Sequence, residues 1–326
     1  MAVTLKELYE PIQGDIDRVE NLLMEELTSD SPFVAQLIKH SKKFHGKRIR
    51  PALCLYSARI CGGVTDAHIA LATVCELLHT ATLVHDDVLD EARLRRQEPT
   101  MNVVWGNEAS VLFGDLLFAK AFTLCAKLHN REANRILAAT VESMCIGELS
   151  QIGTKGNFKL NEAEYFTIIR RKTADLFATA CRLGSVGWET DKETVEALGR
   201  FGQAFGLAFQ IVDDCLDLVG DEREVGKSLG TDLEKGKPTL PIIHMLSELP
   251  PPKRLEMEQI LAAGVNGKKE FVLTTLRERD AIGYAQRRAE EYLDGAKQSV
   301  RAIPCRDAHD LENLISLADF SLGRRA

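Results

Sequence analysis

The stretch AHIALATVCELLHTATLVHDD, residues 67–87, places apolar side chains on most of the circumference of a predicted helix before it ends in acidic residues. A second long stretch, residues 203–219, has the same character. In both, apolar residues recur at spacings of three and four, which is the period of an α-helix. Helices that are apolar on nearly every side lie at the centre of a bundle. The two stretches therefore predict an all-α fold built around two central helices.

The remainder of the chain follows the same helical period, and no segment alternates with period two for long enough to predict a strand. Short polar turns separate the predicted helices. Only residues 220–241 form a long, Gly-rich polar loop, and loops of that kind are often functional. Because no linker, repeat or shift in composition marks a boundary, the sequence predicts one domain over residues 1–326.

Composition limits the kind of protein that this chain can be. A net charge of −7 argues against nucleic acid as a partner. The 8 cysteines form no CxxC pair and lie mostly in apolar helical stretches, which predicts buried thiols rather than disulfides or a zinc site. No run of about 18 uncharged apolar residues occurs, and the charged start has no signal-peptide core. These features predict no transmembrane segment and a cytoplasmic protein.

Both central helices end in the same acidic pattern, DDVLD at 86–90 and DDCLD at 213–217. Residues four apart in a helix lie about 40° apart around the axis and about 6 Å along it, so the outer aspartates of each motif share a face. One such cluster is ordinarily a solvated helix end. Carboxylates oppose the dipole at a helix C-terminus, however, and a second copy of this arrangement favours cation binding. Oxygen ligands with room for water and phosphate suit Mg²⁺.

Basic residues gather in the segments beside these acidic motifs. A single Arg or Lys in a polar loop is ordinarily just solvated. In an acidic protein, however, this clustering is what a polyphosphate site requires. The clustered residues are Lys47, Arg48 and Arg50, then Arg93, Arg95 and Arg96, then Arg170, Arg171, Lys172 and Thr173, and finally Lys227 and Lys237.

Taken in order, these motifs resemble those of the trans-isoprenyl diphosphate synthases, or polyprenyl synthetases, along nearly the whole chain. DDxxD alone also occurs in terpene cyclases, so the resemblance depends on the complete series. Among family members the chain is most similar to long-chain bacterial synthases of the octaprenyl type. It departs from many relatives in having Gln97 where they have Gly. The motifs are GKRIRP, LLHTATLVHDDVLDEARLRR, GDLLFAKAF, RRKTADLF, FQIVDDCLD and GKSLGTDLEKGKPTLP.

The resemblance implies a large helical bundle of the isoprenoid synthase type, with central helices around a deep apolar cavity. It implies a prenyltransferase that condenses isopentenyl diphosphate with an allylic diphosphate, such as farnesyl diphosphate, using two or three Mg²⁺ ions. It also implies a homodimer, for which the predicted helix 106–129 is a candidate interface because much of its surface is apolar. The product would be a polyprenyl diphosphate for quinone side chains.

The resemblance also assigns roles to residues at matching positions. The implied metal ligands are Asp86, Asp87, Asp90, Asp213 and Asp217, and Asp86, Asp90, Asp213 and Lys172 are the implied catalytic residues. Lys47, Arg50, His79 and Arg96 would hold isopentenyl diphosphate, whereas Arg95, Lys172, Thr173, Gln210, Lys227 and Lys237 would contact the allylic substrate.

His79 on its own would ordinarily be a core histidine. It lies seven residues before Asp86, however, which places it on the same helix face, two turns from the predicted metal. His85 has no such placement and is interpreted as structural.

Product length is predicted from the helix below the first motif. In the family, bulky aromatics four and five positions before the first aspartate close the cavity early. Here those positions are Ala81 and Thr82, which are small, with Leu78 one turn further down. These residues predict a long product of about C40, although they could also be simple helix-packing residues. The cavity floor would then come from another helix, with Phe118, Phe122, Leu124 and Leu128 as candidates.

Two alternatives remain open. A class I terpene cyclase shares the metal chemistry but needs no isopentenyl site, and GKRIRP and the second DDCLD argue against it. A non-catalytic partner subunit should have lost metal carboxylates, whereas all of them are present here.

Overall fold

The computed structural model describes residues 4–42, 46–220, 230–265 and 267–323. Lys227 therefore lies outside the described residues. The chain forms two compact units, so the single domain expected over residues 1–326 stays a prediction. The first unit comprises Met1–Ala139, Thr179–Gly199 and Val300–Phe320, and the second comprises Thr140–Ala178, Arg200–Ser299 and Ser321–Ala326.

The described chain is helical along almost its whole length, which confirms the all-α prediction. Its first helices are α1 (Leu5–Tyr9), α2 (Gln13–Glu26), α3 (Pro32–Ser41), α4 (Ile49–Cys61), α5 (Asp66–Leu89), α6 (Met101–Trp105), α7 (Asn107–Lys127), α8 (Arg131–Gly153) and α9 (Glu162–Ile169). They are followed by α10 (Asp175–Gly184), α11 (Lys192–Val219), α12 (Thr231–Glu234), α13 (Leu240–Glu248), α14 (Pro251–Ala262), α15 (Lys269–Glu278), α16 (Ala281–Arg301) and α17 (Ala308–Leu322).

Three short elements interrupt this helical series. A 3₁₀ turn at Glu10–Ile12 separates α1 from α2, and a π-helical turn at Arg170–Ala174 precedes α10. Strands β1 (Leu94–Arg95) and β2 (Glu98–Pro99) pair antiparallel as a small hairpin. Because π-turns occur frequently at functional sites, the one in the RRKTADLF motif marks a place of interest.

Helices α4 and α5 form the centre of the first unit, because their side chains are buried on nearly every face. Helix α7 packs closely along α5. A Cβ added to Gly114 of α7 would lie 2.2 Å from Nε2 of His85, so only glycine permits this approach near the end of α5. Burial raises the pKa of the Cys75 thiol, and nearby Cys125 adds to the effect. Since Cys75 lies early in α5 and Cys125 late in α7, the two helices run antiparallel.

In the second unit, the central part of α11 is buried as the sequence predicts. Phe177 of α10 packs against Phe205 and Phe209 of α11, with ring centroids 5.0 and 5.5 Å apart. A further apolar cluster joins α13, α14 and α15 around Met245, Leu261 and other buried residues. The apolar stretch at 203–219 therefore supplies core contacts and carries the second acidic motif at its end.

The sequence predicts no transmembrane segment, yet two described helices, α5 and α7, are long and apolar enough to cross a membrane by length and composition alone. In α5, 72% of the apolar window is buried inside the protein, as expected for a central core helix. In α7 only 39% is buried, and Val111, Leu112 and Phe122 are exposed. Helix α7 therefore presents an apolar surface that the described residues leave uncovered.

The cysteines are free thiols, as the absence of any CxxC pair predicts. Burial is confirmed for Cys54, Cys75, Cys125, Cys181 and Cys215. The prediction of burial is wrong for Cys145, which is exposed because this face of α8 lies at the surface.

Candidate active site

The first acidic motif closes α5, and its three aspartates lie in different environments. Asp86 and Asp90 are half-buried, whereas Asp87 is almost fully buried. The Asp87 carboxylate accepts hydrogen bonds from Nε of Arg95 at 3.0 Å and from Nη2 of Arg95 at 2.8 Å. Burial raises the pKa of Asp87, and the bond from Arg95 acts in the opposite direction. Arg95, predicted to touch the allylic substrate, thus also anchors the motif.

The hairpin that carries Arg95 turns through Arg96 and Gln97, whose φ angles are 53° and 66°. A two-residue hairpin turn with both φ angles positive is of the type that favours glycine. The departure at Gln97 therefore carries a conformational cost, because its backbone adopts the left-handed conformation that glycine adopts most easily. Thr100 closes the hairpin by donating its backbone N–H to the Arg93 carbonyl at 3.1 Å.

Of the residues predicted to bind isopentenyl diphosphate, Arg50 and Arg96 lie near His79. Burial lowers the pKa of His79 well below its usual value, and nearby arginine side chains lower it further. These arginines are Arg50, Arg95, Arg96 and Arg48. Such a concentration of positive charge around a neutral imidazole is suited to a polyanionic ligand.

Lys47, the remaining predicted ligand of this group, is exposed at the edge of the first unit. Its Nζ lies 5.3 Å from the ring centroid of Phe320 in α17, within the range of a cation–π contact. Its backbone carbonyl accepts a hydrogen bond from the Tyr9 hydroxyl at 2.5 Å. The backbone at Lys47 is thus fixed, while its ammonium group remains at the surface.

The second acidic motif ends α11 and is held differently. Asp213 is half-buried, whereas Asp214 and Asp217 are buried. The Asp217 carboxylate accepts bonds from the Thr231 hydroxyl and from the backbone N–H of Asp232, both at 3.0 Å. These are donors at the start of α12, so Asp217 caps that helix.

Asp214 lies in a small polar network inside the second unit. Its carboxylate accepts hydrogen bonds from the Tyr165 hydroxyl at 2.7 Å and from Nε2 of Gln210 at 2.8 Å. Burial raises the pKa of Asp214 to about 7, and the nearby Asp232 carboxylate raises it as well. Gln210 in turn accepts from the Thr173 hydroxyl at 2.8 Å, so two predicted allylic-site residues are joined to the second motif.

Lys172 projects from the π-helical turn towards α8. Its Nζ lies 2.6 Å from Oε2 of Glu148 and 2.8 Å from Oε1 of Gln151. Lys237, the last of the described basic residues predicted here, pairs with Asp232 at 3.2 Å. Both lysines therefore have protein partners among polar groups of the second unit.

Sequence reasoning missed Glu148 and Gln151, as well as Tyr165 and Asp214. The segment GELSQ, beginning at Gly147, holds the available signal, because residues three apart on a helix share a face. A Cβ on Gly147 would lie 2.5 Å from the backbone nitrogen of Lys172, so α8 rests directly on the π-turn. That contact depends on folding over more than twenty residues, which no local pattern predicts.

The aspartates of the two motifs differ in how well they suit Mg²⁺. Among the described residues, no three His, Cys, Asp or Glu side chains come together as a group able to hold a metal. Mg²⁺ often needs no such group, since one or two carboxylates hold it together with water and substrate phosphates. Asp86 and Asp90, one turn apart and partly exposed, suit that arrangement. The ligand roles of all five aspartates stay predictions, and protein donors bond to the carboxylates of Asp87 and Asp217.

The predicted chain-length residues lie along one side of α5. Ala81 and Leu78 are fully buried, and Thr82 is half-buried with its hydroxyl donating to the His79 carbonyl at 2.9 Å. The small side chains of Ala81 and Thr82 are the basis of the predicted long product, which stays a prediction.

The candidates for the cavity floor lie at different heights along α5. Phe118 lies beside His85, at the level of the first motif, with ring centroids 5.8 Å apart. Phe122 is exposed, whereas Leu124 is buried and lies next to Cys125, the neighbour of Cys75. The antiparallel packing of α7 therefore favours Leu124 over Phe118 as a barrier deep in the first unit.

Comparison with known proteins agrees with this geometry. The family model for polyprenyl synthetases matches residues 31–276. The chain is 35% identical to the all-trans-nonaprenyl-diphosphate synthase (geranyl-diphosphate specific) of Rhodobacter capsulatus, covering 99% of both proteins. It is 33% identical to the octaprenyl diphosphate synthase of Escherichia coli, again over 99% of both.

A solved structure is similar over the same extent. The polyprenyl synthase of Caulobacter crescentus, crystallised with calcium and isoprenyl diphosphate, matches with a TM-score of 0.93 and 34% identity. The match covers 100% of this chain and 99% of that one. The fold is therefore the all-α isoprenoid synthase fold. On the combined evidence of motifs, fold and full-length similarity, this chain belongs to the polyprenyl synthetase family and is a prenyltransferase.

Proposed function

We propose that the protein is a Mg²⁺-dependent long-chain trans-prenyl diphosphate synthase. It condenses isopentenyl diphosphate repeatedly with an allylic diphosphate, such as farnesyl diphosphate. The observation that carries this proposal is the group of arginines around His79, beside the partly exposed Asp86 and Asp90. A group of positive charges next to partly exposed carboxylates suits substrates whose common feature is a diphosphate.

In each cycle the C–O bond of the allylic diphosphate breaks, and the diphosphate leaves with the bonding electrons. The double bond of isopentenyl diphosphate attacks the allylic carbon and forms the new C–C bond. A proton then leaves the adduct, and the departing diphosphate takes it, because no side chain stands out as a general base. Bound Mg²⁺ supplies Lewis-acid stabilisation of the negative charge on the leaving group.

The chain's own residues hold the two diphosphates and exclude water. We propose that Asp86, Asp90 and Asp213 provide the metal ligands, and that Lys172 and Thr173 orient the allylic diphosphate. Fixed positive charges stabilise the leaving group without having to reorganise. Loss of the diphosphate leaves an allylic cation, which water would quench. The buried apolar surface of α5 keeps water from this reacting carbon.

The growing chain is proposed to extend along α5 past Ala81, Thr82 and Leu78, giving a product of about C40 for quinone side chains. A homodimer is proposed from the exposed apolar side chains of α7, since a second copy would cover Val111 and Leu112. We place the enzyme in the cytoplasm, in keeping with free cysteines and a net charge of −7.

The test is a prenyl transfer assay of the purified protein with radiolabelled isopentenyl diphosphate, farnesyl diphosphate and Mg²⁺, with products sized by chromatography. We expect label in octaprenyl-length products and none when a chelator is present. Consumption of farnesyl diphosphate without label in the product would indicate a terpene cyclase instead. Turnover only after addition of a second protein would indicate a partner subunit.

A further inference from the structure

A buried carboxylate lies at the base of the basic group around His79. Glu76 of α5 is 3% exposed and precedes His79 by one turn. Its Oε1 lies 2.5 Å from Nη1 of Arg48. Buried carboxylates require a partner, and here Arg48 is that partner.

Arg48 is itself an unusual residue. It is buried, it forms the N-cap of α4, and its φ of 54° lies in the left-handed region. That conformation is disfavoured for a residue with a side chain, so surrounding contacts must hold it. Two carboxylates do so, because Arg48 pairs with Glu20 of α2 as well as with Glu76.

The left-handed turn at Arg48 determines the orientation of the basic loop, residues 46–50. It lies between Lys47, which is exposed, and Arg50 in the first turn of α4. Glu76 also lies near Arg50, since burial lowers the pKa of Arg50 to about 10 while the Glu76 charge opposes that shift. The Glu76 carboxylate therefore interacts with both Arg48 and Arg50.

The hairpin tip meets the loop at the same point. A Cβ added to Gly46 would lie 3.2 Å from Nη2 of Arg96 and 3.7 Å from Oε1 of Glu76. The loop, the hairpin and the central helix thus converge on Glu76, and glycine at position 46 leaves room for the arginine.

We infer that Glu76 is a positioning residue for isopentenyl diphosphate, which fixes the left-handed turn at Arg48 and so orients Lys47 and Arg50. This inference rests on the proposed function of the site. It makes a distinctive prediction, because a carboxylate near a diphosphate repels it. If Glu76 only balanced charge, its removal would tighten binding. If it positions the loop, its removal weakens binding.

The experiment compares Glu76→Gln with the unmodified enzyme, measuring KM separately for isopentenyl diphosphate and for farnesyl diphosphate. We expect KM for isopentenyl diphosphate to rise about tenfold, because the substitution weakens the buried charged hydrogen bond between Arg48 and Glu76 that holds the loop. KM for farnesyl diphosphate should stay within about twofold, since Arg95 is held by Asp87 and Lys172 by Glu148 rather than by the turn at Arg48. Titration calorimetry with isopentenyl diphosphate alone should give the same weakening.

Asp310→Asn is the matched control. Asp310 is also a buried carboxylate paired with an arginine, Arg59, at 2.7 Å in the first unit, but it lies outside the basic group. Its substitution should leave both KM values unchanged. Should Glu76→Gln fold poorly, Arg48→Lys removes the forked contact while keeping the charge, and it should raise the same KM.

An unchanged or lower KM for isopentenyl diphosphate in folded Glu76→Gln would overturn the inference while leaving the proposed function intact. Failure of the unmodified enzyme to incorporate isopentenyl diphosphate would instead overturn the proposed function. The two failures are therefore distinguishable.

Discussion

The two acidic motifs share one spacing, but the protein uses their aspartates differently. In the first motif the second aspartate, Asp87, accepts hydrogen bonds from Arg95, and the last, Asp90, is partly exposed. In the second motif the last residue, Asp217, is fully buried and caps α12. We therefore expect an identical pattern at the end of two helices to contribute differently to metal binding. The hydrogen bonds from Arg95 and from the start of α12 distinguish the two motifs.

The first aspartate of each motif shows the same environment in both regions. Asp86 and Asp213 are both half-buried at the final turns of long apolar helices. We therefore expect these two residues to contribute most to metal binding. The later aspartates of the two motifs should differ from each other in their contribution.

The largest expected effect concerns these two positions. Asp86→Asn or Asp213→Asn should lower kcat by at least about a hundredfold, because the leaving diphosphate loses stabilisation worth several kcal/mol. Steady-state turnover with saturating substrates measures this, and circular dichroism checks that the helices are intact. Near-normal turnover of either variant at limiting Mg²⁺ would refute the assignment.

A second prediction separates the basic residues of the two regions. Lys47→Ala should raise KM for isopentenyl diphosphate several-fold and leave kcat little changed, because that diphosphate does not leave. Lys172→Ala should raise KM for farnesyl diphosphate or lower kcat, because the allylic diphosphate, which Lys172 is proposed to orient, carries the bond that breaks. Initial rates with each substrate varied in turn measure the split, and a reversed pattern would mean that the roles are exchanged.

A third prediction concerns the interior of the first unit below its motif. Ala81→Phe should shift products towards C15–C20 without abolishing turnover, because the chemistry lies about one turn above. Chromatographic sizing of products measures the change. A melting curve is the control, since filling a buried position can cost about 1–3 kcal/mol. Products of unchanged length from a folded variant would show that the chain grows along another face.

The smallest effect is expected at the hairpin tip that follows the first motif. Gln97→Gly should stabilise the protein by up to about 1 kcal/mol, because glycine adopts a positive φ without strain. The greater freedom of glycine in the unfolded chain offsets part of this gain. Chemical denaturation measures the difference, and a clear loss of stability would mean that the Gln97 side chain makes contacts that outweigh its strain.

Much of this architecture could be predicted from the sequence. Helical periodicity located the central helices, and the order of motifs identified the family, because both depend on local patterns. The pairing of Asp87 with Arg95, the capping of α12 by Asp217 and the contact between Gly147 and Lys172 could not be predicted. Each depends on segments meeting in three dimensions, where burial and competing donors decide which oxygen is satisfied.

Glu76 illustrates the same limit. In the sequence it is a single acidic residue on an apolar helix, with nothing to distinguish it from a solvated side chain. Only the fold shows that it is buried and paired with an arginine in a left-handed conformation. The pairing of buried polar residues is therefore the part of the site that could not be predicted from the sequence.

The most direct test of the difference between the motifs is turnover as a function of Mg²⁺ concentration for Asp90→Asn and Asp217→Asn, with a melting curve for each. We predict that Asp90→Asn raises the Mg²⁺ concentration needed for half-maximal turnover, because its carboxylate is a proposed metal ligand. Asp217→Asn should instead keep the Mg²⁺ requirement and melt earlier, because a helix cap worth about 1 kcal/mol is weakened. An equal rise in the Mg²⁺ requirement of both variants would contradict this account.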